Sequence, residues 1–100
     1  MQGATEPPTR VLVVDDDREI RELLAGYLAK QGIDVDTAAD GAGMWRRIDA
    51  QSPAQLPDLI VLDLNLPGAD GLALCRELRS RGHAMPVIML TARADPIDRV

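Results

Sequence analysis

The 100-residue chain is short of several residue types, and each shortage closes a class of function. It has one cysteine, Cys75, so no internal disulfide can form and a reducing compartment is expected. It has no phenylalanine, and Tyr27 and Trp45 are its only aromatics, so stacking on bases or sugars is not a theme. Eleven basic residues face sixteen acids, for a net charge of −5. A generic nucleic-acid surface, which needs clustered Lys and Arg, is excluded on that balance. No apolar run approaches the ~20 residues of a membrane span. Residues 1–9, MQGATEPPT, lack a basic-then-apolar leader pattern and are read as a flexible N-terminal tail, with the chain expected in the cytoplasm.

What remains is an ordinary globular mix, 46% apolar and 27% charged, with room for one domain near the low end of the usual ~100–150 residues. Val11-Leu12-Val13-Val14 is a continuous apolar run closed by acids, which suits a strand buried on both faces. Asp17 is placed to cap a helix whose apolar stripe is Ile20, Leu23, Leu24, Tyr27 and Leu28, stopped by Gly32. Ile33-Asp34-Val35-Asp36-Thr37 alternates strictly, as an edge strand with one wet face does. A second helix is expected over 41–49, with Met44, Trp45 and Ile48 inward. Leu59-Ile60-Val61-Leu62 is another buried strand and ends at Asp63. After the turn Asn65-Leu66-Pro67-Gly68, a third helix carries Leu72, Leu74, Cys75 and Leu78 and stops near Gly82. Pro86-Val87-Ile88-Met89-Leu90 is a fourth strand, ending at Thr91. The rhythm βαβαβαβ with short connections predicts a parallel α/β sheet covered by helices on both faces.

The far end reads as incomplete. The fourth strand is apolar throughout, as an interior strand is, yet no later strand is expected to cover it. Asp95 and Pro96 resemble a helix cap and first turn, five residues before the chain stops. An open apolar edge is a template for pairing, and a missing last helix would uncover part of the first helix's apolar stripe, so the chain is expected to be either self-associated through this edge or only marginally folded.

In open parallel sheets, ligands bind beyond the carboxyl ends of the strands, where strand order reverses. The first strand places Asp15, Asp16 and Asp17 there, the third Asp63 and the fourth Thr91. If the first and third strands are neighbours, about 4.8 Å apart, Asp15 or Asp16 comes close to Asp63. At roughly 5 Å and an effective dielectric of about 20, each such pair costs on the order of 3 kcal/mol. A shared proton, an intervening base or a divalent cation relieves it. The one lysine, Lys30, sits at the far end of the first helix, and the arginines lie mostly on helix faces. A cation is the best remaining candidate. Oxygen-only ligands favour Mg²⁺ or Ca²⁺ over zinc, and few protein ligands with room for water and phosphate favour Mg²⁺. A carboxylate beside a metal can act as nucleophile toward a phosphoryl group, and Thr91 can donate a hydroxyl to a phosphate oxygen.

VLVVDDD at 11–17, VLDLNLPGADGL at 61–72 and PVIMLTA at 86–92 together resemble the receiver domain of two-component response regulators. The likeness spans residues 10–100, and LDLNLPGADGLALCRELR with MLTAR looks most like regulators with a winged-helix DNA-binding output domain. The resemblance implies a flavodoxin-like (CheY-like) doubly wound sheet of order 2-1-3-4(-5), lacking most of the fourth helix, the fifth strand and the fifth helix. It implies that Asp63 is the phosphoacceptor, that Asp16 binds Mg²⁺ directly and Asp15 largely through water, and that Asn65 gives a backbone carbonyl. Thr91 would be the switch hydroxyl, with Ala92 leaving it room. A sensor histidine kinase would donate the phosphoryl group. DNA would be met only through an output domain outside this chain, and the fourth-strand to fifth-helix face, which the family often uses for homodimers, is expected to be mostly missing. The family's phosphate-contacting lysine and switch aromatic, on its fifth strand, have no counterpart here. The whole is expected to be a switch and not a turnover enzyme.

Two other readings stay open: a receiver-like interaction module that carries no phosphate, and a haloacid-dehalogenase-type phosphotransferase. The second needs an acid two residues after the nucleophile, where this chain has Asn65. His83, Cys75 and Trp45 are read as structural or packing residues, and Arg76, Arg79 and Arg81 as a solvated helix face.

Overall fold

A computed structural model describes residues 9–64, 66, 68 and 70–90, together with the backbone of 98–99. Its elements run β1 (Arg10–Val14), α1 (Arg18–Lys30), β2 (Asp34–Ala38), α2 (Gly41–Asp49), β3 (Leu59–Asp63), α3 (Gly71–Ser80), β4 (Val87–Leu90) and β5 (Asp98–Arg99). A single 3₁₀ turn, Pro53–Gln55, lies in the polar loop between α2 and β3. The sheet order is β2-β1-β3-β4-β5. The first four strands are mutually parallel, so the order reverses between β1 and β3, as the doubly wound reading requires.

Alternation along the strands decides which side chains meet the helices. Leu12 and Val14 of β1, Ile60 and Leu62 of β3, and Val87 and Met89 of β4 share one face of the sheet. Against them pack Met44 and Ile48 of α2 and Leu74, Cys75 and Leu78 of α3, at helical spacing. Val11 and Val13 point to the other face and are also buried, which is why β1 carries no polar residue after Arg10. The α2 span matches its periodicity, capped by the Asp40 carboxylate, which accepts from the Gly43 N–H at 2.7 Å. Cys75 is buried in the core cluster, as a packing residue.

The apolar stripe of α1 is partly uncovered, as expected for a first helix with little opposite it: α1 buries no residue, and Leu23 is 73% and Tyr27 62% exposed. This helix packs against β1 and β2. The stripe's width exceeds what those two strands offer, so of its large apolar residues only Leu24 and Leu28 reach partial cover. The structure departs from expectation at the outer edge of β4. It is not bare: β5 lies antiparallel on it, with Ile88 opposite Arg99 and Met89 opposite Asp98. Unpaired strand groups in an apolar setting are costly, and a short return of the chain satisfies some of them. The helix expected from Asp95 therefore does not continue through 98–99, and self-association at this edge loses its premise at those two positions.

Candidate functional site

The site grows from the ends of two adjacent strands. Val14 of β1 stands opposite Leu62 of β3, so the next residues, Asp15 and Asp63, emerge side by side. The Asp15 N–H donates to the Ala38 carbonyl at 3.1 Å, extending the β1–β2 pairing by one residue. Its carboxylate Oδ1 accepts from the Asp17 N–H at 2.9 Å. Asp17 in turn caps α1, accepting from the Glu19 and Ile20 N–H groups at 2.9 and 3.4 Å, and this is the structural role its position implied. The chain thus turns from β1 into α1 within three residues, all of them acids.

Carboxylate oxygens of Asp15, Asp16 and Asp63 lie within 4.8 Å of one another. Their surroundings grade from buried Asp15 through half-buried Asp63 to exposed Asp16. Asp15 is the one buried charged residue among those described, and burial pushes its carboxyl above the ordinary value of 3.8. The Asp17 N–H opposes that rise, while the nearby charges of Asp63, Asp16 and Asp17 add to it. Lys30 lies in the last turn of α1, about 18 Å along the helix from its first residue at 1.5 Å per residue, and is no counter-ion for this cluster. Three carboxylates without His or Cys form a hard-oxygen donor set open on one side. That suits a divalent cation that keeps several waters.

Asn65, Pro67, Thr91 and Ala92 lie outside the described residues. One positioning residue was not singled out from sequence. A Cβ on Gly71 would stand 2.9 Å from the Asp63 carbonyl oxygen and 2.9 Å from the Leu64 Cα. The first residue of α3 is therefore glycine because the helix start is pressed against the end of β3. The Gly71 N–H also donates to the Leu64 carbonyl at 3.3 Å. The turn between them includes Gly68, whose φ of 69° favours glycine.

Arg79 and Arg81 do more than face solvent. Arg79 Nη1 donates to the His83 carbonyl at 3.0 Å. The Arg81 guanidinium carbon sits 3.9 Å from the Trp45 ring centroid and its Nη2 pairs with Glu77. Trp45 is half-buried and tilted against the His83 ring at 6.3 Å, so both act in packing, as expected.

Fold and site together define a doubly wound α/β domain with an acidic, oxygen-only pocket at the strand ends flanking the order reversal. The chain belongs to the response regulator receiver domain family, whose pattern it matches over residues 11–100. It is 42% identical over 97% of its length to the alkaline phosphatase synthesis transcriptional regulatory protein SphR of Synechococcus elongatus, covering 40% of that protein. It is 44% identical over 93% of its length to the response regulator MprA of Mycolicibacterium vanbaalenii, covering 38% of it. The chain thus spans about two fifths of these curated relatives. Among solved structures, the response regulator TrrA of Thermotoga maritima, crystallised with Mg²⁺ and a beryllofluoride group, superposes with a TM-score of 0.75 at 36% identity. That match covers 86% of this chain and 71% of TrrA. No described helix is long and apolar enough to cross a membrane.

Proposed function

We propose that the domain is a phosphorylation switch in which Asp63 accepts a phosphoryl group beside a cation held by Asp15, Asp16 and Asp63, with the Asn65 carbonyl completing the set. The observation that carries this reading is the convergence of the three carboxylates within 4.8 Å in a chain of the receiver family. Ground-state repulsion among three acids gives the cluster a standing affinity for a small hard cation, and Mg²⁺ is the one that fits few protein ligands. When bound, Mg²⁺ offsets charge on the carboxylate and on the incoming phosphoryl oxygens.

The transfer is a displacement at phosphorus. An Asp63 carboxylate oxygen forms the new O–P bond, the bond from phosphorus to the donor's leaving atom breaks, and the leaving group takes its electron pair and a proton from solvent. The product is an acyl phosphate. Thr91, the next residue in sequence after Leu90, follows as the hydroxyl that hydrogen-bonds the new group. The phosphodonor is a sensor histidine kinase in the cytoplasm, and the output is transcriptional control through a DNA-binding segment beyond this chain, as the relatives' names suggest. The domain acts as a switch and not as a turnover enzyme.

Intact-mass spectrometry with a small phosphodonor and Mg²⁺ tests the acceptor. One phosphoryl group is expected, slowly gained because the chain's one lysine stands far from the site. It should be absent from Asp63→Asn. No labelled species in the parent, or undiminished labelling of the mutant, removes Asp63 from the role.

A further inference from the structure

Arg21 is a charged side chain that the switch reading does not use. It sits in the first turn of α1, where its backbone N–H donates to the Asp17 carbonyl at 3.0 Å. The half-buried side chain turns back along the helix start, and Nη1 donates to the Asp15 carbonyl oxygen at 2.7 Å. A charge-assisted bond of that length is among the stronger ones a side chain makes. The carbonyl it holds belongs to the peptide group joining Asp15 to Asp16. Because that group is planar, fixing its oxygen fixes the backbone leading into Asp16. Asp15 is already held by its N–H to Ala38 and by its carboxylate to Asp17. Asp16 is exposed, and its carboxylate has no hydrogen bond or ion pair to other described residues. Its placement near Asp63 therefore depends on the backbone that Arg21 pins.

We infer that Arg21 is a positioning residue for the cation site: its guanidinium fixes the Asp15–Asp16 peptide and so sets where Asp16 presents its carboxylate. This rests on reading Asp16 as a cation ligand. Charge alone argues the opposite direction, which makes the inference testable by sign. Arg21 lines one cleft with Arg46, Arg47 and Asp40, so its own charge adds to a net positive lining. Removing a positive charge there should tighten binding of a cation, whereas removing a clamp should weaken it.

The test is Mg²⁺ titration of the 100-residue chain by calorimetry, for the parent, Arg21→Met, Arg21→Lys and Asp16→Ala. Arg21→Met is expected to weaken Mg²⁺ binding about tenfold, the lower end for loss of a group that orients a ligand. Arg21→Lys keeps the charge and a donor and is expected between Met and the parent. A Met variant that binds as tightly as the parent or tighter overturns the clamp, and so does a Lys variant no better than Met. If Arg21→Met is destabilised, the shift of its urea midpoint on adding Mg²⁺ still reads affinity by linkage, and a shift equal to the parent's overturns the inference. Asp16→Ala separates the two readings. If it binds Mg²⁺ like the parent, the ligand assignment itself fails. If it loses binding while Arg21→Met does not, only the clamp fails.

Discussion

The start of α3 is seated on the end of β3 so closely that a methyl group on Gly71 would stand 2.9 Å from the Asp63 carbonyl oxygen. Both atoms opposite that methyl are backbone, so neither can swing away as a side chain would. Gly71→Ala is expected to cost about 1–3 kcal/mol, the range for forcing extra volume into a packed site. It should also weaken Mg²⁺ binding by moving Asp63. Gly26, in the middle of α1, has open space where a Cβ would stand, with nothing within 4 Å. Gly26→Ala should therefore stabilise by up to ~1 kcal/mol from helix propensity alone. Urea unfolding of the two variants checks the pair. A Gly71→Ala variant as stable as the parent, or more so, would show that the contact at Gly71 carries no cost.

Asp15 gives a pH dependence of defined sign. Burial raises its carboxyl above 3.8 in the folded state, so the folded chain holds that proton to higher pH than the unfolded chain does. Its contribution to stability therefore falls as pH rises from 3.8 through the raised value, and the penalty is complete above it. Asp15→Asn removes the buried charge and can keep the acceptor for the Asp17 N–H. Without metal, the variant should be more stable than the parent at neutral pH, with the difference shrinking toward pH 3.8. With saturating Mg²⁺ the order should reverse, because the parent gains binding energy that the amide does not. Urea midpoints across pH, with and without Mg²⁺, read both halves. A metal-free variant less stable than the parent at neutral pH contradicts the assignment of burial as the dominant cause.

Trp45 joins α2 to the connection after α3 through the Arg81 guanidinium, 3.9 Å over its ring, and Glu77 pairs with that arginine at 2.6 Å. A cation–π contact at an exposed site is worth about 0.5–1 kcal/mol. A double-mutant cycle of Arg81→Ala with Trp45→Leu should therefore show a coupling of that order, about 0.5 kcal/mol or more. Additive losses would reduce the stack to coincidental proximity.

How far the sequence carries depends on whether a feature is local. The apolar runs of β1, β3 and β4 mark strands, but only β1 is buried on both faces, while β3 and β4 bury alternate residues and leave Val61 and Ile88 half-buried. The Met44–Ile48 spacing likewise marks α2, whereas its Asp40 cap is seen in the structure. The acids after β1 and after β3 are legible as a site once the two strands are taken as neighbours, since Val14 and Leu62 are each the last apolar residue of their runs and the structure pairs them. Gly71 is different. Its constraint comes from the Asp63 and Leu64 backbone across a turn, and no pattern around residue 71 encodes a contact with residue 63. The Arg21 hydrogen bond to Asp15 is hidden for the same reason, since a helical arginine in the first turn looks solvated. Asp98–Arg99 has neither β-branched nor aromatic character, and its pairing comes from the open groups of β4. Periodicity in α1 shows that the helix is two-faced, but it does not show whether anything stands opposite the apolar face.

That last distinction can be measured directly. Leu23 and Leu78 are both leucines on apolar stripes, and periodicity alone does not tell them apart. In the structure Leu78 is 0% exposed, packed within the core cluster under the sheet, while Leu23 is 73% exposed. Leu78→Ala should remove a filled volume and cost about 2–5 kcal/mol, a large share of the total for a domain of this size. Leu23→Ala changes a side chain that already meets water and should fall within about 0.5 kcal/mol of the parent. Urea unfolding of the two variants in the 100-residue chain decides the matter. A Leu23→Ala cost approaching that of Leu78→Ala would mean that the α1 stripe is covered in solution, and light scattering on the same samples would then show whether a second copy provides the cover.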